Sequence, residues 1–105
     1  MNVRIGRHTF DRLHAAPDRL KDTPGVYAVL STINEHATVI DVGESDHVKS
    51  SVMTHTRRDC WERIASLGGS IAFAVAYYGP ESTGDRRKLV RQLRQEFIAP
   101  CSEGN

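Results

Sequence analysis

Alternating apolar residues predict two strands in the first half of the chain. Residues 26–31 alternate between two faces with the two-residue period of a half-buried strand. Its two faces carry Val26, Ala28 and Leu30, then Tyr27 and Val29. Residues 38–42 are rich in β-branched side chains and predict a second strand. Because only a short polar connection over residues 32–36 separates the two, we predict that they pair as an antiparallel hairpin.

Two helical segments are predicted to follow this hairpin. Residues 47–56 predict a helix that buries Val48 and Val52, which lie four positions apart, with Ser45 or Asp46 as its N-cap. A second helical segment is predicted over residues 60–67 because its apolar residues recur at helical spacing, and Gly68 and Gly69 end it.

Residues 71–78 form the clearest predicted strand, with one bulky and one small face. The bulky face carries Ile71, Phe73, Val75 and Tyr77, and the small face carries Ala72, Ala74 and Ala76. Small side chains allow a helix to pack closely, and residues 86–97 predict such a helix because their apolar residues form one stripe. The stripe consists of Leu89, Val90, Leu93 and Phe97, and Pro100 ends the helix.

The N-terminal residues predict an arm that lies over one side of the sheet. Val3 and Ile5 alternate with polar residues, which is typical of a short edge strand. Residues 10–16 have the apolar spacing of one helical turn, and Pro17 is expected to end it.

The order of predicted elements indicates the fold class. A chain of 105 residues is the length of one domain. We therefore predict a single domain over residues 1–105, with residues 1–23 as the arm and residues 24–101 as the core. The predicted class is α+β, with a small three-stranded, mainly antiparallel sheet flanked by helices.

Charge and cysteine content narrow the function classes. A net charge of +1 gives no overall attraction to nucleic acid, so any basic patch has to be local. Cys60 and Cys101 are too few for a disulfide framework or a zinc site, so we predict free thiols in a reducing compartment. No apolar run has the length of a signal-peptide core or a membrane span, so we predict a cytoplasmic protein without a membrane partner.

Several short motifs together resemble the GIY-YIG nuclease superfamily. Gly25-Val26-Tyr27 resembles its first strand signature and Asp41-Val42-Gly43 its second. The turn at Gly43-Glu44-Ser45 leads into a segment that resembles the family's arginine helix, and residues 92–101 resemble its closing helix with a terminal proline. The resemblance covers residues 23–101 and implies a GIY-YIG-like fold.

The resemblance also implies which residues belong to the site. In active members, two tyrosines, an arginine and a glutamate that holds a divalent metal cleave the phosphodiester. Tyr27 and His55 match the family and are the predicted remnant of its catalytic site. Asp41, Ser51 and Val90 stand where the family has its second tyrosine, its arginine and its glutamate. Because Mg²⁺ takes oxygen ligands and valine has none, no metal or other cofactor is expected.

The same residues also have structural interpretations. Asp41 and Glu44 fit either a metal-binding pair or a solvated turn before a helix. His55 fits a phosphate contact, a base acting on Cys60 as nucleophile, or a solvated residue near a helix end. Trp61 fits the core or a stacking platform for a base.

Basic residues predict a local surface for nucleic acid. Most of them follow His55 or line the last predicted helix, where Arg86 belongs to the same run. Phosphate contacts need only such a stripe, and the alternative is an ordinary solvated helix face. The predicted binding residues are Lys49, Arg57, Arg58, Arg87, Lys88, Arg91 and Arg94.

These observations leave three functional hypotheses. The first is a GIY-YIG-like pseudoenzyme that has lost metal-dependent cleavage and binds DNA. The second is an active DNA endonuclease that uses Mg²⁺ or Mn²⁺ at a relocated site, with a carboxylate from Asp41, Glu44 or Glu96 and a positive charge from Lys49, Arg87 or Arg91. The third is a protein-interaction module on the same fold.

Overall fold

A three-stranded antiparallel sheet lies at the centre of this α+β fold, as predicted. The computed structural model describes residues 2–102. A separate two-stranded hairpin and a 3-10 turn at Pro17–Arg19 precede the sheet. In chain order the elements are β1 (Val3–Ile5), β2 (His8–Phe10), β3 (Gly25–Ile33), β4 (His36–Ser45), α1 (Val48–Met53), α2 (Arg58–Ala65), β5 (Ser70–Tyr77) and α3 (Thr83–Glu96).

The central sheet has the strand order β4–β3–β5, and β3 pairs antiparallel with both neighbours. The predicted β3–β4 hairpin is confirmed, and both strands are longer than predicted. They extend to a tight turn at Asn34 and Glu35, whose φ angles are 51° and 67°. Because β4 continues to Ser45, the motif at residues 41–43 lies within a strand rather than at its end.

The two faces of the sheet carry separate apolar clusters, and the predicted alternation along β3 is confirmed. One cluster joins Val26, Ala28 and Leu30 to the buried stripe of α3. The other joins Tyr27 and Val29 to α1, α2 and the bulky face of β5. The small face of β5 lies on the same side of the sheet as α3, where Ala74 joins the first cluster.

The predicted short strand at Val3–Ile5 is confirmed, but the rest of the N-terminal arm differs from the prediction. Residues 8–10 form a strand that pairs with β1, so no helical turn begins at Phe10. Gly6 has a φ of +63°, a conformation that suits glycine in the tight turn between these strands. Ile5 and Phe10 are buried in the cluster beneath α3. The chain then runs along the outer edge of β5, where the Asp11 N–H donates to the Val75 carbonyl at 2.7 Å.

The helices keep the predicted buried residues but differ at their ends. Val48 and Val52 are buried in α1, as expected, whereas neither Ser45 nor Asp46 is its N-cap. Asp22, distant in sequence, instead accepts the Ser50 N–H and hydroxyl at 2.8 Å, which lowers the pKa of its carboxyl. No helix within residues 2–102 is long and apolar enough to cross a membrane.

The expectation of free thiols is wrong, because Cys60 and Cys101 form a disulfide. Their Cα atoms lie 5.8 Å apart although 41 positions separate them in sequence. The residues after α3 return to β4, where the Cys101 N–H donates to the Ile40 carbonyl at 2.7 Å. This return brings Cys101 against α2, a meeting that local sequence patterns do not encode. It also excludes Cys60 as a free nucleophile for His55.

Candidate functional site

A cleft of about 430 Å³ lies between the β3–β4 hairpin, the α1–α2 connection and α3. It contains the matched tyrosine and histidine, four arginines and a single acidic residue. Its lining residues are Tyr27, Gly43, Glu44, His55, Arg57, Arg87, Val90, Arg91 and Arg94.

The tyrosine and the glycine of the two strand motifs face each other across the hairpin. Tyr27 pairs with Gly43 in the β3–β4 register. A side chain at Gly43 would clash with the Tyr27 ring, whose hydroxyl occupies that space. Glycine at this position therefore allows the Tyr27 hydroxyl to lie against β4 and line the cleft.

Tyr27 and His55 are brought together, as a shared site requires. The His55 Nε2 atom lies 2.8 Å from the Tyr27 hydroxyl oxygen. The His55 Nδ1 atom accepts the backbone N–H of Arg57 at 3.0 Å, so the neutral ring carries its proton on Nε2. His55 therefore donates to Tyr27, and the Tyr27 hydroxyl can donate its own proton to a ligand in the cleft.

Asp41 is a buried structural carboxylate rather than a residue of a solvated turn. Its side chain is fully buried and accepts two bonds from Arg57, at 2.8 Å from Nε and 3.1 Å from Nη2. The Trp61 indole N–H donates to the same carboxylate at 2.8 Å. Trp61 is itself buried, which confirms its interpretation as core and excludes a stacking platform. Asp41 thus holds Arg57 at the cleft wall.

Glu44, the acidic residue of the cleft, is held by arginines of α3. Its carboxylate lies 2.9 Å from Arg86 Nη1 and 3.7 Å from Arg87 Nε. Arg86 is 1% exposed and also binds Asp46, Ser82 and Thr83, so it is not part of a solvated basic stripe.

The cleft offers a poor set of ligands for the divalent metal that the family resemblance implies. Asp41 is bonded to Arg57 and Trp61, and Glu44 is ion-paired with the buried Arg86, with the exposed Arg87 at a longer distance. Val90, at the position of the family's glutamate, presents a hydrocarbon wall to the cleft. Within residues 2–102, no group of three His, Cys, Asp or Glu side chains could hold a metal ion. The residues present do not fit the metal.

The predicted basic residues divide between the cleft and other surfaces. Arg57, Arg87, Arg91 and Arg94 line the cleft, whereas Lys49, Arg58 and Lys88 do not. Arg58 borders a small apolar pocket beside Trp61 and donates to the Met53 carbonyl at 2.6 Å. Lys88 lies on the opposite flank of α3, in a second groove with Arg7 and Asp85.

The other residues named from the sequence lie apart from the cleft. Ser51, at the position of the family's arginine, bonds through its hydroxyl to Ser45 at 2.6 Å. Glu96 lies across α3, 3.9 Å from His8. The sequence predicts Arg57 only as a nucleic-acid-binding residue, whereas the structure also places it in the cleft with Tyr27 and His55. Its position two residues after His55 is the sequence signal for this, because residues so close along the chain can lie in one turn.

Burial keeps the Tyr27 phenol protonated. Removal from water, with a smaller contribution from the Asp41 carboxylate, raises the pKa of Tyr27 from 10.0 to about 12. At neutral pH, Tyr27 is therefore a hydrogen-bond donor and not a base. Together with the arginines, it makes the cleft a site for anions.

The raised pKa predicts that Tyr27 stabilises the fold less as the pH rises above 10. The unfolded chain loses the phenolic proton near pH 10 and the folded chain near pH 12, so stability present below pH 10 is lost across this window. We expect the stability difference between wild type and Tyr27→Phe to shift by about 1.4 kcal/mol between pH 9 and pH 11. Urea titrations at both pH values measure it, and a constant difference would contradict the raised pKa.

No protein-family profile, curated protein or solved structure matches this chain.

Proposed function

We propose that this protein is a GIY-YIG-like domain that binds nucleic acid in the cleft and has lost metal-dependent cleavage. The observation that carries the proposal is the composition of the cleft: four arginines and the protonated Tyr27 line it, against one lining glutamate and the buried Asp41 that holds Arg57. Donors in such excess suit phosphodiester oxygens, which accept hydrogen bonds and carry negative charge.

The arrangement favours the nucleic-acid backbone as the ligand. Arg87, Arg91 and Arg94 line the cleft from α3, and Arg57 lines it from the α1–α2 connection. An arginine fork binds two phosphate oxygens at once, and several such contacts give affinity without sequence readout. Tyr27 is only 4% exposed, so its ring face is not available to stack on a base.

The same residues argue against the cleavage reaction. Cleavage in the family needs a metal held by carboxylate oxygens, and the donors of this cleft do not fit one. The relocated-site alternative needs a carboxylate from Asp41, Glu44 or Glu96. The first two are paired with arginines, and Glu96 lies beside His8 on the other flank of α3.

The proposed compartment is affected by the disulfide. The cytoplasmic location predicted from the sequence depended partly on free thiols, and the Cys60–Cys101 bond removes that support. DNA remains the proposed partner, because the cleft residues do not depend on the compartment.

We expect Arg87→Ala/Arg91→Ala to weaken DNA binding by about 10- to 100-fold, because each substitution removes one charged contact with phosphate. The slope of log affinity against log salt concentration should fall by about 0.9 for each arginine removed. Fluorescence anisotropy with a short labelled duplex, at two or more salt concentrations, measures both quantities.

Lys88→Ala is the matched control, because Lys88 is a cation of the same helix on the flank away from the cleft. Its affinity should stay within about twofold of wild type, since distant exposed charges are screened by salt. Equal losses in the two variants would show a diffuse basic surface and contradict the cleft. Salt-independent or absent binding would favour the protein-interaction module. Plasmid cleavage with Mg²⁺ or Mn²⁺ that Tyr27→Phe abolishes would favour the active nuclease.

A further inference from the structure

We propose that the Cys60–Cys101 disulfide regulates the affinity of the cleft for nucleic acid, because it holds the turn that carries His55 and Arg57. The proposal rests on the binding proposed above and adds its regulation. Reduction of the disulfide releases this turn and weakens binding.

Cys60 lies in the first turn of α2, and this turn is bonded directly to Arg57. The backbone N–H groups of Cys60 and Trp61 donate to the Arg57 carbonyl, at 3.0 and 3.2 Å. The Trp61 indole donates to Asp41, which in turn binds the Arg57 guanidinium. A shift of Cys60 therefore reaches both the backbone and the side chain of Arg57.

Cys101 is tied to β4 one residue before Asp41, through its hydrogen bond to the Ile40 carbonyl. The disulfide thus joins α2 to β4 next to the place where Asp41 makes the same connection without a covalent bond. The backbone N–H of Arg57 also bonds to the His55 ring, which contacts the Tyr27 hydroxyl. The disulfide and the cleft are therefore connected by an unbroken series of hydrogen bonds.

A dithiol reductant can open this link by ordinary thiol–disulfide exchange. Cys60 is half-buried and Cys101 is 4% exposed, so the reductant thiolate reaches the Cys60 sulfur first. A new bond to Cys60 forms as the Cys60–Cys101 bond breaks, and Cys101 leaves as a thiolate that takes up a proton. The second reductant thiol then displaces Cys60, so two protein thiols form and the reductant leaves as a cyclic disulfide.

The test compares duplex binding by the oxidised protein with binding after reduction by dithiothreitol, using anisotropy at constant salt. We expect the oxidised form to bind about tenfold more tightly, because one charged hydrogen bond is worth about that factor. Trp61 is the only tryptophan of the chain, so its emission reports on the same turn without DNA. Its emission should move to longer wavelength on reduction, as the indole loses Asp41 and meets water.

Two variants separate this mechanism from general loosening. In Arg57→Gln, the ratio of oxidised to reduced affinity should fall to about one, because the regulated contact is already absent. Cys60→Ser/Cys101→Ser should bind the duplex with the affinity of the reduced wild type, and dithiothreitol should not change that affinity. If this variant does not fold, the reduced wild type alkylated with iodoacetamide takes its place.

Each remaining outcome decides between the two proposals. Equal affinities in both redox states with unchanged Trp61 emission would overturn the regulation and leave nucleic-acid binding intact. Absence of binding by the oxidised protein would overturn the proposed function. The change in Trp61 emission on reduction would then show whether the disulfide holds the turn that carries Arg57. Loss of the far-UV circular dichroism on reduction would also overturn the regulation, because global unfolding would explain any weaker binding.

Discussion

Replacing Asp41 with asparagine is expected to lower the free energy of unfolding by about 3–5 kcal/mol, the cost of removing one member of a buried ion pair. The Asp41 side chain is fully buried and the Arg57 side chain is 16% exposed, so water cannot replace the lost charge. The Trp61 indole N–H also loses a charged acceptor. Urea denaturation followed by circular dichroism measures the change.

Asp59→Asn is a suitable control for this substitution. Asp59 is an exposed aspartate in the first turn of α2, two residues after Arg57. Its loss should cost only about 0.3–1 kcal/mol, the usual value of an acidic residue near a helix N-terminus. If Asp41→Asn cost no more than this control, the buried ion pair would not be a main support of α2.

Reduction of the Cys60–Cys101 disulfide is expected to lower the free energy of unfolding by about 4 kcal/mol. The bond closes a loop with a sequence separation of 41, and closing it removes conformational entropy from the unfolded chain. Guanidinium denaturation of the oxidised protein and of Cys60→Ser/Cys101→Ser, at the same pH, measures the difference.

The size of this effect also tests how the C-terminal residues are held. Beyond α3, Ala99 and Cys101 are buried and the Cys101 N–H bonds to Ile40. A loss below about 1 kcal/mol would show that these contacts constrain the chain without the covalent bond, contrary to the loop-closure estimate. A control with dithiothreitol added to the double variant should show no further change.

Much of the fold could be predicted because its signals are local. The β3–β4 hairpin follows from two apolar runs joined by a short polar turn, and the alternation along β3 assigns each side chain to a face. The buried stripe of α3 follows in the same way from helical spacing. These periodic patterns are determined by backbone geometry, so the structure reproduces them.

Other features could not be predicted because their partners are distant in sequence. β1 follows from the alternation of Val3 and Ile5, but β2 has too few residues to show a period, and the spacing of Phe10, Leu13 and Ala16 is that of a helix. The N-terminal end of α1 is satisfied by Asp22, which precedes the hairpin. Neither assignment can be read from the local segment.

In the candidate site too, residues in local motifs were predicted, whereas roles that depend on distant partners were not. Tyr27 and His55 were identified from motifs and do meet across a hydrogen bond of 2.8 Å. The role of Asp41 was misjudged, because its burial depends on Trp61 and Arg57 of a later segment. The basic run of α3 was treated as one surface, although Arg86 is buried and Lys88 faces the opposite groove.

Local sequence patterns are sufficient to predict the α+β class, the antiparallel hairpin and the apolar faces of the strands and helices. These features follow from strand and helix periodicity and from turn preferences, which depend on residues close together in sequence. Only the tertiary structure decided that Cys60 binds Cys101, that Asp41 holds Arg57, and which arginines of α3 share the cleft with Tyr27. These contacts join segments that are distant in sequence and meet only when helices and loops pack on the two faces of the sheet.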